Sequence, residues 1–109
     1  MPQTVNIPER LPISIDPAGL TALCHRYGIR ELALFGSVLR DDFTSQSDVD
    51  VLYEMGPTSA IRSLFDVGRL VEDLEELLGR RVDVAKKQRL YPVLREEILS
   101  TRRVIYAET

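Results

Sequence analysis

The pattern of apolar residues predicts an α/β (α+β) domain with a mixed β-sheet of about four strands and helices mainly on one face. Three observations carry this. Two β-branched segments, DVDVLYE over 48–54 and RVDVA over 81–85, alternate polar and apolar residues with the period of a strand. Between them Ile61, Leu64, Phe65, Val71, Leu74 and Leu78 recur at helical spacing. The full order reads α-β-β-α-β-α-β, which packs helices onto a sheet.

Each element has its own signal. Residues 1–15 carry Pro2, Pro8 and Pro12 and read as an extended N-terminal arm ahead of a single domain over 16–109. Asp16-Pro17 opens a helix, with Asp as N-cap and Pro in the first turn. That helix carries Leu20, Leu23 and Cys24 on one side and stops near Gly28. Residues 31–35, ELALF, form a strand ending at Gly36, and 37–40 a helical turn. A polar loop over 41–47 leads into the strand over 48–54, and Gly56-Pro57 breaks the chain. The long helix over 61–78 ends at Gly79, and the strand over 81–85 follows. Tyr91-Pro92 opens a last helix to about Thr101, and 104–106 makes a final strand.

Bulk properties narrow the function. A chain of 109 residues is expected to be one domain, with one sheet and a helix layer but no separate acceptor-binding domain. No apolar run approaches the ~18 residues that cross a bilayer, so no membrane association is expected. The N-terminus lacks the basic-then-apolar order of a signal peptide. A single cysteine, Cys24, excludes an intrachain disulfide, and a reducing cytoplasm fits best. The net charge of −3 argues against direct nucleic-acid binding.

The chemistry concentrates in three aspartates. Asp48 and Asp50 stand two apart on one strand, so both carboxylates leave the same face, roughly 6.6 Å apart along the chain. Val49 and Val51 then point to the core. Paired carboxylates repel unless a cation sits between them, and Mg²⁺ prefers such oxygen ligands. Asp83 repeats the pattern between Val82 and Val84. With the two strands adjacent, three carboxylates converge, a set able to hold two metals for phosphoryl transfer. Gly36-Ser37, eleven residues before Asp48 counting from the serine, adds a strand-end turn. Its N–H groups can approach a phosphate, and Ser37 supplies a hydroxyl.

The segment GSVLRDDFTSQSDVDV, residues 36–51, resembles the signature of the DNA polymerase β-like nucleotidyltransferase superfamily. More narrowly, residues 13–107 resemble the minimal nucleotidyltransferases of bacteria and archaea. The likeness runs from LALFGSVLRDDF through SDVDVL and LFDVGRLVEDLEELLGRRVDV to REEIL and VIYA. The resemblance implies the polymerase β-like fold, ATP as nucleotide donor and Mg²⁺, expected as two ions. It also implies a HEPN-domain toxin as partner. The chain would be the antitoxin of a type VII-like toxin–antitoxin pair, transferring AMP to a hydroxyl, a tyrosine in studied cases. Carried over by residue, Asp48 and Asp50 match the metal ligands. Asp83 matches the third carboxylate, which also takes the proton of the attacking hydroxyl. Gly36 and Ser37 match the triphosphate-binding pair. Arg40 matches an arginine that braces the loop or contacts phosphate. The spacer Thr44-Ser45-Gln46 departs from the commoner basic-proline-acidic run, which bears on loop rigidity alone.

Two other functions compete: a contact-only antitoxin that binds without turnover, and a small-molecule nucleotidyltransferase of the aminoglycoside-modifying type. The remaining side chains read as structural. His25 reads as a solvated or core-edge histidine and Cys24 as a core residue. Tyr53, Tyr91 and Tyr106 are expected to pack at element edges. Lys86, Lys87 and Arg89 read as a solvated run, or as a patch for phosphate or an acidic partner. A sheet covered on one face should leave apolar surface, so a hetero-complex or homo-oligomer is expected.

Overall fold

The computed structural model describes residues 3–108. Met1 and Pro2 of the expected arm, and Thr109 of the expected domain, lie outside the described residues. The elements are β1 (Gln3–Val5), α1 (Pro17–Tyr27), β2 (Ile29–Phe35), a 3₁₀ turn (Gly36–Leu39), β3 (Val49–Met55), α2 (Leu64–Leu78), β4 (Val82–Lys86), a second 3₁₀ turn (Lys87–Arg89), α3 (Pro92–Thr101) and β5 (Arg103–Glu108). They form one mixed five-stranded sheet in the order β1-β5-β2-β3-β4. Three pairings are antiparallel, and β3 with β4 is parallel. A parallel pair needs a long crossover, which α2 supplies.

Local chemistry explains the element ends. The Asp16 carboxylate accepts the Gly19 N–H at 3.1 Å and opens α1. Gly28, in the left-handed region at φ 65°, closes it. Ser63 caps α2 by accepting from the Asp66 N–H, while the Asp66 carboxylate accepts the Arg62 N–H at 2.9 Å. This reciprocal arrangement resembles a capping box. Gly79 closes α2 at φ 69°.

The core lies between one sheet face and the α1–α2 layer. Leu20, Leu23 and Cys24 from α1 and Leu70, Leu74 and Leu78 from α2 meet Leu34, Val49, Val51 and Ile105 of the sheet. Each fully buried aliphatic side chain contributes about 1.5–3 kcal/mol. The Tyr27 hydroxyl donates to Asp73 and joins the two helices.

The structure differs from the expectations in several places, and Tyr53 and Tyr106, expected at element edges, are buried in the core. Gln3–Val5 pairs with β5 as a fifth strand, a segment too short to show a period. The long helix starts at Leu64 rather than residue 61, because Ser63 provides the cap. Leu64 and Phe65 fall in its first turn and stay exposed, at 89% and 83%, and the buried stripe is Leu70, Leu74 and Leu78. Tyr91, expected at a packed edge, is 74% exposed because α3 buries no residue. That helix is tied down by polar contacts instead. Arg95 donates to the Lys87 carbonyl at 3.1 Å and Arg102 to Glu31 at 2.9 Å.

Candidate active site

The site forms where β2 ends and β3 and β4 begin. Val49 and Val51 are fully buried beneath the helices, which turns the intervening Asp50 to the opposite face. The β3–β4 register places Asp50 beside Asp83, between the pairs Val49–Val82 and Val51–Val84. Both V-D-V segments therefore obey one rule: valines in, aspartate out. Asp48 sits one step before β3 and is exposed, as is Asp83, while Asp50 is half-buried.

On its other side Asp50 pairs with Phe35, the last residue of β2. Gly36 follows at φ 75°, a left-handed conformation, and a Cβ there would run into the Asp50 carboxylate. Only glycine allows the 3₁₀ turn to lie against that carboxylate. Ser37 is half-buried in the same turn, and the Arg40 N–H closes it on the Ser37 carbonyl at 2.9 Å.

The electrostatics match this crowding. Partial burial is the largest cause raising the Asp50 pKa above its ordinary value, followed by the negative charges of Asp83 and Asp48. Arg40 opposes the rise. Its guanidinium also pairs with Asp42 at 3.2 Å in an exposed contact.

Asp48 is held differently from its neighbours. Arg81 pairs with it at 3.2 Å. Among the described residues no three metal-ligating side chains already close into a ready cage. The donor chemistry nevertheless fits a hard divalent cation. Two carboxylates are register neighbours, a third stands two residues away, and their mutual repulsion is what such a cation relieves.

Arg80 and Arg81 also hold the 41–47 loop, a role not apparent from the sequence. Arg80 donates to the carbonyls of Thr44 at 2.9 Å and Ser47 at 2.7 Å, and its guanidinium stacks 4.6 Å from the Phe43 ring centre. Arg81 donates to the Gln46 carbonyl at 3.3 Å. The bonds join positions more than thirty residues apart, and no local pattern announces them.

The side chains read as structural are placed as follows. His25 is exposed, bonded to Gln3 and edge-on to Tyr106. Cys24 is fully buried, and burial pushes its thiol far above the usual range, which makes it a poor nucleophile. Lys87 is not solvated: it pairs with Glu54 at 2.8 Å and Glu31 at 3.5 Å.

A mixed sheet with a Gly-Ser turn pressed against one of three strand-end aspartates defines a class of phosphate-transferring domain. The chain belongs to the nucleotidyltransferase domain family, whose model matches residues 19–105. It is 39% identical over 93 residues to the protein adenylyltransferase MntA of Thermococcus cleftensis, covering 85% of this chain and 89% of that one. A solved structure described as a minimal nucleotidyltransferase shares 40% identity at a TM-score of 0.64, covering 79% of this chain and 84% of the other. A toxin–antitoxin crystal structure with AMP-PNP has the same fold, at a TM-score of 0.65 and 17% identity over 84% of this chain and 73% of that one. The relatives are thus minimal nucleotidyltransferases and MntA-type adenylyltransferases, and this chain is a nucleotidyltransferase of that family.

Proposed function

We propose that this chain transfers AMP from ATP to a hydroxyl of a partner protein, as the cytoplasmic antitoxin of a toxin–antitoxin pair. A tyrosine of a HEPN-domain toxin is the acceptor the resemblance favours. The observation that carries the reading is the β3–β4 register, which sets Asp50 beside Asp83 with the Gly36–Ser37 turn against Asp50. The identity to an adenylyltransferase over most of both chains supports the same chemistry.

Each residue has a role in this mechanism. The Gly36–Leu39 turn and the Ser37 hydroxyl bind and orient the phosphates. Asp48, Asp50 and Asp83 would hold Mg²⁺. Bound there, Mg²⁺ supplies charge neutralisation on the phosphates and lowers the pKa of the acceptor hydroxyl. Asp83, exposed on edge strand β4, takes the proton from that hydroxyl. The oxygen then attacks the α-phosphorus, the bond to pyrophosphate breaks, and Arg40 lies close enough to offset the negative charge around Asp50.

The test is intact-mass analysis of the candidate partner after incubation with this chain, ATP and Mg²⁺. A gain in whole AMP units is expected, and Asp50→Asn should abolish it while leaving the fold intact. Transfer by Asp50→Asn at the wild-type rate would refute the mechanism. The contact-only reading draws on the Asp48–Arg81 ion pair, which engages one of the three carboxylates. A stable complex with no mass change selects it.

A further inference from the structure

Beside the site lies a basic cavity of which the proposed mechanism uses only the Gly36–Leu39 turn and Arg40. It has a volume of about 500 Å³ and is bounded by the N-terminal arm, the Gly36–Leu39 turn and the start of β5. Three arginines from three separate segments line it: Arg10 from the arm, Arg40 from the end of the turn and Arg103 from β5. Asp41 is the one acidic residue in the lining. In a chain of net charge −3, this local excess of cations runs against the average.

The backbone that carries the arginines is anchored, and their side chains reach solvent. Leu11 and Ile13 pack against the core and anchor the arm on either side of Pro12. Arg103 is the register partner of Leu34, two residues before Gly36. Arg40 is bonded through its backbone to Ser37. Among the described residues, Arg10 and Arg103 form no ion pair, and Arg40 pairs only with exposed Asp42. Guanidinium groups suit phosphate oxygens in geometry and charge.

We propose that this cavity is a polyphosphate pocket, in which Arg10, Arg40 and Arg103 grip a chain of linked phosphates beside the Gly36–Leu39 turn. The arm is then part of the binding apparatus rather than a mere edge of the fold. The pocket serves either the distal phosphates of the donor nucleotide or a free polyphosphate anion. The first source rests on the nucleotide transfer proposed above, whereas the pocket does not.

Calorimetric titration of the full chain with inorganic tripolyphosphate, in chelator to remove metal, tests this. Wild-type protein should bind, and Arg10→Gln or Arg103→Gln should each weaken binding about tenfold, the loss expected for one charge-assisted contact. Arg10→Lys should restore part of it. Arg69→Gln, on the exposed side of α2, should change nothing. Thermal melts confirm that the variants fold. Displacement of tripolyphosphate by a non-hydrolysable ATP analogue assigns the pocket to the nucleotide tail, and undiminished binding assigns it to a free anion. Absence of binding, or equal binding by wild type and both arginine variants, overturns the proposal. Tripolyphosphate binding through Arg10 and Arg103 without any AMP transfer would leave the pocket standing and remove the proposed function alone.

Discussion

At the scale of single residues, Gly36 and Asp50 constrain one another. Gly36→Ala must adopt a left-handed backbone and push its methyl into the Asp50 carboxylate. The backbone alone costs about 1–2 kcal/mol. Gly79 has a similar φ of 69° but open space around it, so Gly79→Ala isolates that backbone cost. Denaturant titration should therefore find Gly36→Ala less stable than Gly79→Ala, and only the first should lose AMP transfer. Asp50 also gives stability a definite pH dependence. Its pKa is raised in the fold above the ordinary 3.8, so the folded state holds its proton more tightly than the unfolded chain. The unfolded chain releases that proton first, and this contribution to stability falls as pH rises from near 3.8 through the folded value. In chelator, Asp50→Asn should melt above wild type at neutral pH, and the gap should close in acid. Adding Mg²⁺ should raise the melting temperature of wild type more than that of the variant, because a ligand of the native state stabilises it. A variant that melts below wild type at neutral pH in chelator would refute the crowding argument.

At the scale of elements, the loop carrying Asp48 depends on the turn between α2 and β4. Arg80 satisfies two loop carbonyls and stacks on Phe43, and Arg81 holds both the Gln46 carbonyl and Asp48. Arg80→Ala should cost about 1 kcal/mol, since these contacts are near the surface. Hydrogen exchange should accelerate over 44–47, AMP transfer should fall several-fold, and Arg80→Lys should recover part of both. Unchanged exchange in the loop would show that Arg80 does not hold it. The same contrast explains what was legible in the sequence. The V-D-V alternation, the helix between the two strands and the glycine after ELALF are all local, and they put Asp50 and Asp83 opposite the core face, while the pairing that sets them side by side is a long-range feature. The Arg80 clamp, the pairing of Gln3–Val5 with β5 and the exposure of Leu64 and Phe65 depend on residues distant in sequence. The apolar pattern of residues 61–78 could not reveal that its first turn meets no core. The engagement of Asp48 by Arg81 was equally hidden, since both charges look solvated in isolation.

At the scale of the whole molecule, the sheet is covered on one face by α1 and α2, while α3 buries nothing. Among the described residues no helix is long and apolar enough to cross a membrane, so the exposed apolar residues do not belong to a membrane-spanning helix. Leu64 and Phe65 stand out at the start of α2, and Leu64 borders a groove of about 380 Å³ floored by Met55, Ile61, Val67 and Val84. Arg62, Lys86 and Arg89 rim this groove without any acidic residue. Exposed apolar surface ringed by like charges is the usual mark of a protein interface, here one suited to an acidic partner surface. The groove lies on the sheet face of Tyr53, Met55 and Val84, opposite to the face that carries Asp50 and Asp83. Asp50 and Met55 are five residues apart on β3, or about 17 Å. Partner docking and AMP transfer should therefore separate under mutation. A Leu64→Ser, Phe65→Ser double variant removes no core contact, so its melting temperature should match or exceed that of wild type. Loss of two apolar anchors at an interface should weaken the complex with the acceptor protein at least tenfold. At saturating acceptor, AMP transfer should return to the wild-type rate, because the aspartates and the Gly36–Leu39 turn are untouched. Titration by calorimetry alongside a transfer assay at rising acceptor concentration separates these effects. An unchanged affinity would place the docking surface elsewhere, and a lower rate at saturation would mean that this groove also orients the acceptor hydroxyl.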